Sequence, residues 1–462
     1  MHKLIALTIS KERQAPALSL PPTRFELRLS NALHNLGVVR SVIGKRPLLM
    51  AIVKGNCYGH GLVEMAKFYE QTRVNYFGVA KIGEAAQLRG ALIKTPILVL
   101  ESLQPEQACV VIENGLTPSV ESIEAASTLN AEAERKGIIV PIHIKIDTGL
   151  NLDGALPKDA ISLFLALTQL NNIFIEGIYS HFSRADSCEE YCIKQLDTFR
   201  NLLDSISELG FNIPIVHMCN SRALFRYPGA IFDMVRSGSA LLGLPVDPEG
   251  RLKLVADKLC TRIIGFRDLD EGETAGYSQN VWNTATQPTK LGIIPIGYAD
   301  MVGANTHELG ANKLRALAGG VPAEFFGALC MDKSALVLNR NTDVKIGDEV
   351  VIFGHQDGRY ISPKATADAQ GLRFIELFTH ITPRVPRIYH CPPEYLFSGA
   401  IDRIVTQRYK EELRLSPYPH LESLTHIRAS AARFPMLLML LTKQLAGPMI
   451  RSSHHKETLK ST

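Results

Sequence analysis

A lysine stands at the abrupt end of an apolar run in the first part of the sequence. Residues 48–53 are apolar without alternation, which is typical of a buried parallel strand, and Lys54 follows them directly. In α/β proteins the carboxyl ends of parallel strands converge on a common mouth, where the chemistry takes place. Apolar neighbours disfavour the charged form of a lysine, and a neutral amine is the nucleophile that forms a Schiff base. The alternative is a solvated surface lysine, the ordinary fate of this residue type.

The residues around this lysine form a long motif, Val53-Lys54 followed by Tyr58-Gly59-His60-Gly61. It resembles the pyridoxal-phosphate attachment motif of the alanine racemases, in which a hydrophobic strand leads into Val-Lys, two or three small residues and Tyr-Gly-His-Gly. The resemblance covers about residues 24–389. It implies an amino-acid racemase that uses pyridoxal 5′-phosphate, with alanine as the best single guess for the substrate and peptidoglycan precursor supply as its purpose.

Two later turns look like the phosphate-binding turns of that family. Asn220-Ser221 follows a predicted strand over residues 215–218, and Arg236-Ser237-Gly238-Ser239 follows another over residues 231–235. Hydroxyls and backbone N–H groups at strand ends and helix starts suit a phosphate, and a glycine lets the backbone approach closely. Tyr58 looks like the family's tyrosine that also reaches the phosphate. Read alone, each turn is equally consistent with an ordinary cap.

Arg236 looks like the arginine that faces the pyridine nitrogen of the cofactor in this family. Arginine stays protonated and can only donate, so that nitrogen must accept, and the ring becomes a weaker electron sink. This favours racemisation over reactions that need a long-lived carbanion. His181 resembles the histidine that packs against the cofactor ring, although a core histidine is an equally good interpretation of its sequence context.

Racemisation removes a proton from one face of the alpha carbon and returns it on the other, so two bases are expected. The resemblance assigns one face to Lys54 and the other to Tyr277, with His181 as a neighbour that would lower the pKa of the tyrosine. In the family this tyrosine comes from the second subunit, which implies a homodimer with shared active sites. Tyr298 and Met331 look like the substrate-entry tyrosine and the carboxylate-contacting methionine.

The chain departs from the family pattern at positions that handle substrate and cofactor. Leu152 stands where the family carries the arginine that holds the substrate carboxylate, and Ile375 stands where it has a phosphate-contacting tyrosine. Lys145 resembles the lysine that is often carbamylated to orient that arginine, and Arg184 is a candidate substitute for it. These departures leave open a weakened or inactive cofactor-binding homologue and a racemase for another amino acid. A decarboxylase or a D-amino-acid aldolase on the same barrel is disfavoured by Tyr277.

The elements that must position these residues alternate regularly between strand and helix. About eight strand–helix units, from a strand over residues 25–29 to one over 231–235, predict a (β/α)8 barrel within residues 24–255. The first helix is expected over residues 30–43, with Ser30 as its N-cap. A doubly wound open sheet is the rival, but no GxGxxG follows the first strand.

After residue 255 the pattern changes to strands separated by Gly, Asn and Asp turns, which predicts a mostly-β domain over residues 256–389. Residues 390–462 are rich in basic and polar residues and are interpreted as an appendage. Residues 1–23 are interpreted as a loosely ordered extension, because their apolar patch is too short for a signal peptide.

Composition excludes several other classes of protein. The net charge of +4 is too small to indicate nucleic-acid binding, and no apolar stretch is long enough for a membrane span. The chain is 46% hydrophobic and 21% charged, as in an ordinary globular enzyme. Its eight cysteines lack zinc-site spacing, so no metal is expected, and their scatter fits a reducing cytoplasm.

Overall fold

Two sheets organise the chain, one parallel and one mostly antiparallel. The computed structural model describes residues 21–277, 284–301, 314–327 and 329–391. Most of the proposed N-terminal extension and all but the first two residues of the proposed C-terminal appendage lie outside them.

The first strand, β1 (Arg24–Arg28), belongs to the second sheet, which corrects the expectation that it opens the barrel. Phe25 lies opposite Leu259 on one side and Arg387 on the other, in strands from the later part of the chain. Local sequence shows that residues 24–28 form a strand but cannot show which partners the strand finds. Here the partners are more than 200 residues away.

Eight later strands form the parallel sheet, so the predicted (β/α)8 barrel is confirmed with β2 as its first strand. Their bounds are β2 Leu48–Ile52, β3 Tyr76–Val79, β4 Ile97–Ser102, β5 Thr117–Val120, β6 Val140–Lys145, β7 Ile173–Tyr179, β8 Ile215–His217 and β9 Met234–Ser237. Neighbours in sequence pair in order from β2 to β8, and β9 pairs with β2. A single bridge between Asn220 and Arg236 nearly closes the barrel between β8 and β9.

Helices cover the outside of the barrel, one before β2 and the others between the barrel strands. They span Leu29–Ile43, Leu62–Gln71, Ile82–Gly90, Ala108–Glu113, Ile123–Lys136, Pro157–Leu167 and Glu189–Glu208. The helix after β5 begins at an N-cap, since Ser122 accepts a hydrogen bond from the backbone of Ala125. Ser30 was predicted to play that role, but the first helix starts at Leu29 and Ser30 lies inside its first turn. Among the described helices, none combines the length and the apolar character that a bilayer crossing requires.

The predicted mostly-β domain is built from the second sheet. Its further strands are β10 Ala256–Arg262, β11 Gly265–Leu269, β12 Thr289–Ile294, β13 Arg315–Ala318, β14 Val321–Phe326, β15 Ser334–Leu338, β16 Glu349–Gln356, β17 Arg359–Ile361 and β18 Arg387–His390. They lie in the order β11-β12-β15-β14-β13-β16-β10-β1-β18, with β17 paired to β16. Two short helices, Pro363–Ala369 and Phe374–Thr379, lie between β17 and β18.

An aromatic cluster joins the two sheets close to the Lys54 motif. Phe25 of β1 stacks on Phe378 with a centroid separation of 6.3 Å, and both rings contact His60, at 5.7 and 5.4 Å. All three side chains are buried. The motif is therefore held between the barrel and the β domain, and burial of large aromatic rings is a strong local stabilising contribution.

Candidate active site

Lys54 opens a single turn with left-handed backbone geometry at the carboxyl end of β2. Within Lys54–Tyr58, the φ angles of Gly55, Asn56 and Cys57 are 63°, 54° and 52°. Such angles cost about 1–2 kcal/mol for each non-glycine residue, so the surroundings must hold the turn. The backbone of Gly59 donates to the carbonyl of Gly55 at 2.9 Å, and the Asn56 side chain accepts from the backbone of Leu62 at 2.8 Å.

The two glycines of the Tyr-Gly-His-Gly motif make room for the β domain. A Cβ atom on Gly59 would lie 1.8 Å from the carbonyl oxygen of Phe378, and one on Gly61 would lie 2.0 Å from the hydroxyl of Tyr389. Arg387 donates two hydrogen bonds to the carbonyl of Gly59, at 3.0 and 2.9 Å. Tyr389 donates to the carbonyl of His60 at 2.8 Å. Sequence reasoning missed Arg387 and Tyr389 as supports of the site, because nothing near them in the chain points to residues 59 and 60.

His60 is a buried structural member of the motif. Its Nδ1 lies 3.0 Å from the carbonyl oxygen of Tyr58 and 3.2 Å from that of Cys57, so Nδ1 carries hydrogen and donates to both. Burial lowers the pKa of His60 to about 4, and the ring is therefore neutral at neutral pH.

The electrostatic surroundings of Lys54 favour its neutral form. The side chain reaches solvent, but the surrounding protein displaces enough water to lower the pKa of Lys54, and the charge of Lys145 lowers it further. Arg236 contributes in the same direction, while Glu84 and Asp153 oppose it. A larger fraction of the amine is consequently unprotonated than in a freely solvated lysine.

Arg236 is buried inside the barrel with its guanidinium donating to several acceptors. Nη1 lies 2.8 Å from Nδ1 of His217, and Nη2 lies 2.7 Å from the carbonyl oxygen of Ser180 and 3.0 Å from Nδ1 of His181. Burial lowers the pKa of Arg236 to about 10, which leaves it a cation at neutral pH. Burial and the neighbouring Arg236 lower the pKa of His181 to about 3, so this imidazole is neutral and accepts at Nδ1.

The structure brings together most of the residues predicted to hold a phosphate. The hydroxyl oxygen of Ser221 accepts from the backbone N–H groups of Gly238 at 3.1 Å and Ala240 at 3.2 Å. The hydrogen of the Ser221 hydroxyl is therefore a donor, and the Ser237 hydroxyl oxygen lies 3.4 Å away. A Cβ atom on Gly238 would lie 2.6 Å from the hydroxyl oxygen of Tyr58, so only glycine lets the tyrosine lie against this turn. Ser239 follows next in the chain and is half-buried.

Asn220 fixes the start of the short helical turn Ala223–Phe225 that follows β8. Its side-chain oxygen accepts from the backbone of Arg222 at 3.1 Å and of Ala223 at 3.0 Å. This orients the amide nitrogen toward His181, whose Nε2 lies 3.4 Å away. Asn220 therefore places the turn beside His181, and the two nitrogens do not share a hydrogen bond, because both carry hydrogen.

Lys145 is buried at the end of β6 and forms an ion pair with Asp153. Its ammonium nitrogen also lies 3.4 Å from the carbonyl oxygen of Leu100 and 5.9 Å from the centre of the Tyr179 ring. Leu152, by contrast, is 82% exposed. Asp153 was not singled out from the sequence, since an aspartate in a loop carries no pattern that predicts its partner.

Arg184 and Ile375, which the sequence singled out as departures, have structural partners. The Arg184 guanidinium lies over the ring of Tyr191 at 4.8 Å, and Tyr191 donates to the carbonyl of Gly149 at 2.9 Å. Arg184 thus lies beside the loop that carries Leu152. Ile375 is half-buried on the helix Phe374–Thr379, where it packs against the hydrophobic core.

Two further predicted substrate residues lie together in the β domain. The backbone of Tyr298 donates to the carbonyl of Cys330 at 3.1 Å, next to Met331. A Cβ atom on Gly297 would lie 2.3 Å from the carbonyl oxygen of Met331, so this close approach requires glycine. Tyr298 and Met331 are about half exposed in the single chain, and Tyr277 is 74% exposed beside residues 278–283, which lie outside the described part.

Fold and site together define a class of protein. A (β/α)8 barrel is joined to a mostly-β domain, with a lysine of lowered pKa at the carboxyl end of a barrel strand and a buried arginine nearby. Enzymes of this architecture carry their chemistry on such strand ends.

The comparisons with known proteins identify the family. Residues 27–246 match the family model described as alanine racemase, N-terminal domain, and residues 256–389 match alanine racemase, C-terminal domain. The chain belongs to the alanine racemase family. It is 34% identical over 375 residues to alanine racemase 1 of Caldanaerobacter subterraneus subsp. tengcongensis, which covers 80% of this chain and 95% of that protein. It is 33% identical to an alanine racemase of Methanococcus maripaludis, covering 80% of this chain and 98% of that protein.

Solved structures agree with this assignment. The alanine racemase of Clostridium difficile 630 superposes with a TM-score of 0.73 at 30% identity, covering 80% of this chain and 96% of that chain. The alanine racemase of Bacillus anthracis with bound L-Ala-P superposes with a TM-score of 0.71 at 29% identity, with the same coverage of 80% and 96%. The resemblance found in the sequence is therefore confirmed.

Proposed function

We propose that this protein is a pyridoxal 5′-phosphate-dependent racemase that interconverts L- and D-alanine. The observation that carries the proposal is the position of Lys54, a lysine of lowered pKa at the carboxyl end of β2 whose charge neighbours include the buried Arg236. The membership of the family and the named relatives support alanine as the substrate.

The residues present fit the proposed cofactor. Tyr58, Ser221 and Gly238 lie together and offer neutral hydroxyl and backbone donors, which suit a phosphate group. Ser221 would turn its hydroxyl hydrogen from the Ser237 hydroxyl, 3.4 Å away, to the phosphate, because its oxygen already accepts two backbone N–H groups. Arg236 can only donate, so it suits an unprotonated ring nitrogen that accepts. These residues would hold the phosphate and the ring, with Ser239, Asn220 and His181 beside them.

When bound, pyridoxal phosphate condenses with amines and draws electrons from the alpha carbon of an amino acid, which weakens its C–H bond. Lys54 would bind the cofactor and, once released from it, hold or return the alpha proton at Nζ on one face. Its lowered pKa increases the neutral fraction that can accept this proton. The hydroxyl of Tyr277 would hold or return the proton on the other face.

We propose a homodimer in which each copy supplies Tyr277 to the site of the other. Tyr277 is 74% exposed in the single chain, as a residue that completes a neighbouring site would be. Tyr298 and Met331, also exposed and brought together by Gly297, would contact the substrate. We further propose a cytoplasmic location, because the seven cysteines from Cys57 to Cys330 are free thiols.

The activity is tested by solvent isotope exchange. L-alanine incubated with the purified protein in deuterated water should acquire deuterium at its alpha carbon while D-alanine accumulates. Lys54→Ala should abolish the exchange and the visible absorption of the bound cofactor. An exposed lysine variant, Lys364→Ala, should retain both.

The exposed Leu152 favours a second candidate, a homologue that binds the cofactor without turnover. Cofactor absorption that depends on Lys54, without exchange at any amino acid, would establish that candidate and reject the racemase. Exchange at another amino acid and not at alanine would keep the assignment as a racemase and replace alanine as its substrate.

A further inference from the structure

A row of buried polar side chains leads from Arg236 through the barrel to Glu176. Nη1 of Arg236 lies 2.8 Å from Nδ1 of His217, and Nε2 of His217 lies 2.8 Å from Nδ1 of His143. Nε2 of His143 lies 3.3 Å from Oε2 of Glu176, which also accepts a hydrogen bond from Tyr76 at 2.6 Å. The five side chains come from β9, β8, β6, β7 and β3, and each is at least 95% buried.

The position of every hydrogen in this row follows from its first member. Arginine can only donate, so Nδ1 of His217 accepts and the hydrogen of this neutral imidazole is on Nε2. His217 then donates to Nδ1 of His143, whose own hydrogen must be on Nε2. That hydrogen points to the carboxylate of Glu176, which accepts it. All the hydrogen bonds therefore run in one direction, from the cation to the anion.

The charge at each end of this row is buried and requires compensation. An isolated charge taken into a protein interior costs several kcal/mol unless an opposite charge or strong hydrogen bonds compensate it. Within the described residues, the partners of the Arg236 guanidinium are neutral carbonyl oxygens and imidazoles, and Glu176 is met by a tyrosine and an imidazole. Two polarisable imidazoles between them let the charges act on each other at a distance.

The space for this row is built into the strands. A Cβ atom on Gly177, next to Glu176, would lie 2.6 Å from the ring of His143. The ring of His217 is stacked on that of Tyr179, with centroids 4.7 Å apart and planes 8° apart. Neither imidazole can turn over without displacing its neighbours, so the packing fixes the order of donors and acceptors.

We propose that Glu176 is the counter-charge of Arg236 and that His143 and His217, each with its hydrogen on Nε2, connect the two. Glu176, His143 and His217 are positioning residues, since they act on the site through Arg236. They offset its buried charge and fix Nη1 as a donor into the barrel, which leaves Nη2 to face the His181 side. Only the identity of the group that Arg236 meets there rests on the proposed function.

Neutron diffraction from crystals of the full-length protein in deuterated water tests the hydrogen positions directly. The expected result is deuterium on Nε2 of both His143 and His217 and none on either Nδ1. Deuterium on Nδ1 of either ring, or on both nitrogens, would overturn the proposal. This measurement needs no variant and no bound cofactor, so its failure is distinct from a failure of the proposed racemase.

A second experiment tests the charge. Glu176→Gln removes the anion and keeps the size of the side chain. The positive charge of Arg236 should then be less offset, and the pKa of Lys54 should fall further. In protein freed of any aldehyde cofactor, the pH midpoint of Lys54 labelling by reductive methylation should fall by up to about one unit, a tenfold change. Glu132→Gln, which removes another buried carboxylate on the helix Ile123–Lys136, should not move it. An unchanged midpoint in Glu176→Gln would overturn the proposed counter-charge.

Discussion

The ammonium group of Lys145 forms an ion pair with the carboxylate of Asp153 at the mouth of the barrel. Leu152, directly before that aspartate, extends into solvent. The resemblance to the family implied a carbamylated lysine that orients an arginine at position 152. In this chain the lysine has an anion of its own, and its positive charge is the second contribution to the lowered pKa of Lys54.

We expect Lys145 to be unmodified. Carbamylation needs a neutral amine and produces an anion, and two like charges about 4 Å apart repel by about 4 kcal/mol at an effective dielectric constant of about 20. Protein equilibrated with 13C-labelled bicarbonate should show no carbamate resonance. Asp153→Asn removes the competing anion, so the resonance should appear in that variant, and Asp159→Asn, an exposed aspartate nearby, should resemble the wild type. A carbamate in the wild-type protein would contradict this expectation.

Restoring an arginine at position 152 should improve the binding of alanine. A charged hydrogen bond to a carboxylate is worth about 1.5–3 kcal/mol, so Leu152→Arg should lower the KM about tenfold or more if the loop aims the side chain at the substrate. The matched control is Leu92→Arg, because Leu92 is 80% exposed and precedes β4 at the opposite end of the barrel. Equal KM values for the two variants would show that the carboxylate is held elsewhere.

The site residues that could be predicted from the sequence share one property, which is that each follows an apolar strand. Lys54, Ser221 and Gly238 lie within about four residues of the ends of β2, β8 and β9, and the carboxyl ends of parallel strands meet at one mouth. Their proximity to one another thus follows from strand order alone. The family resemblance added the roles of Arg236 and Tyr277, which geometry by itself does not assign.

The contacts that the sequence did not predict join residues that are distant in sequence and leave no periodic signal. Arg387 reaches Gly59 across 328 residues, and β1 joins the second sheet although its local pattern matches that of a barrel strand. The row from Arg236 to Glu176 uses histidines whose sequence context is that of any buried strand. Such contacts are decided by tertiary packing, which local propensity does not encode.

Mixed dimers test whether Tyr277 acts in the site of the partner copy. Lys54→Ala and Tyr277→Phe should each be inactive as homodimers. After the two proteins are mixed and their subunits exchanged, half of the dimers are mixed and each of these has one intact site, so about a quarter of the wild-type activity should return. No recovery, with subunit exchange verified by mass, would place Tyr277 in the site of its own chain.

Replacing Gly59 should destabilise the protein much more than replacing Gly55. Both glycines have positive φ, 83° and 63°, so alanine costs about 1 kcal/mol of backbone strain at each. Only Gly59→Ala also drives a methyl group into the carbonyl oxygen of Phe378, at 1.8 Å, whereas nothing lies within 4 Å of a Cβ on Gly55. Overpacking of this kind destabilises the protein by about 1–3 kcal/mol more. Urea denaturation measures the difference, and equal losses would mean that the helix Phe374–Thr379 moves away freely.

Acid should weaken the fold through His60. The folded state lowers the pKa of His60 from its ordinary 6.5 to about 4, so between these values the unfolded chain binds more protons. The stabilisation from the neutral ring is complete above pH 6.5 and is lost as the pH falls toward 4, by up to about 3 kcal/mol. His60→Asn, which retains a donor for the carbonyls of Cys57 and Tyr58, should be less stable at pH 7 but lose less stability between pH 7 and 4.5. His34→Gln, at an exposed histidine, should retain the wild-type dependence of stability on pH. The same dependence in His60→Asn would mean that other buried groups, such as His181, account for the acid sensitivity.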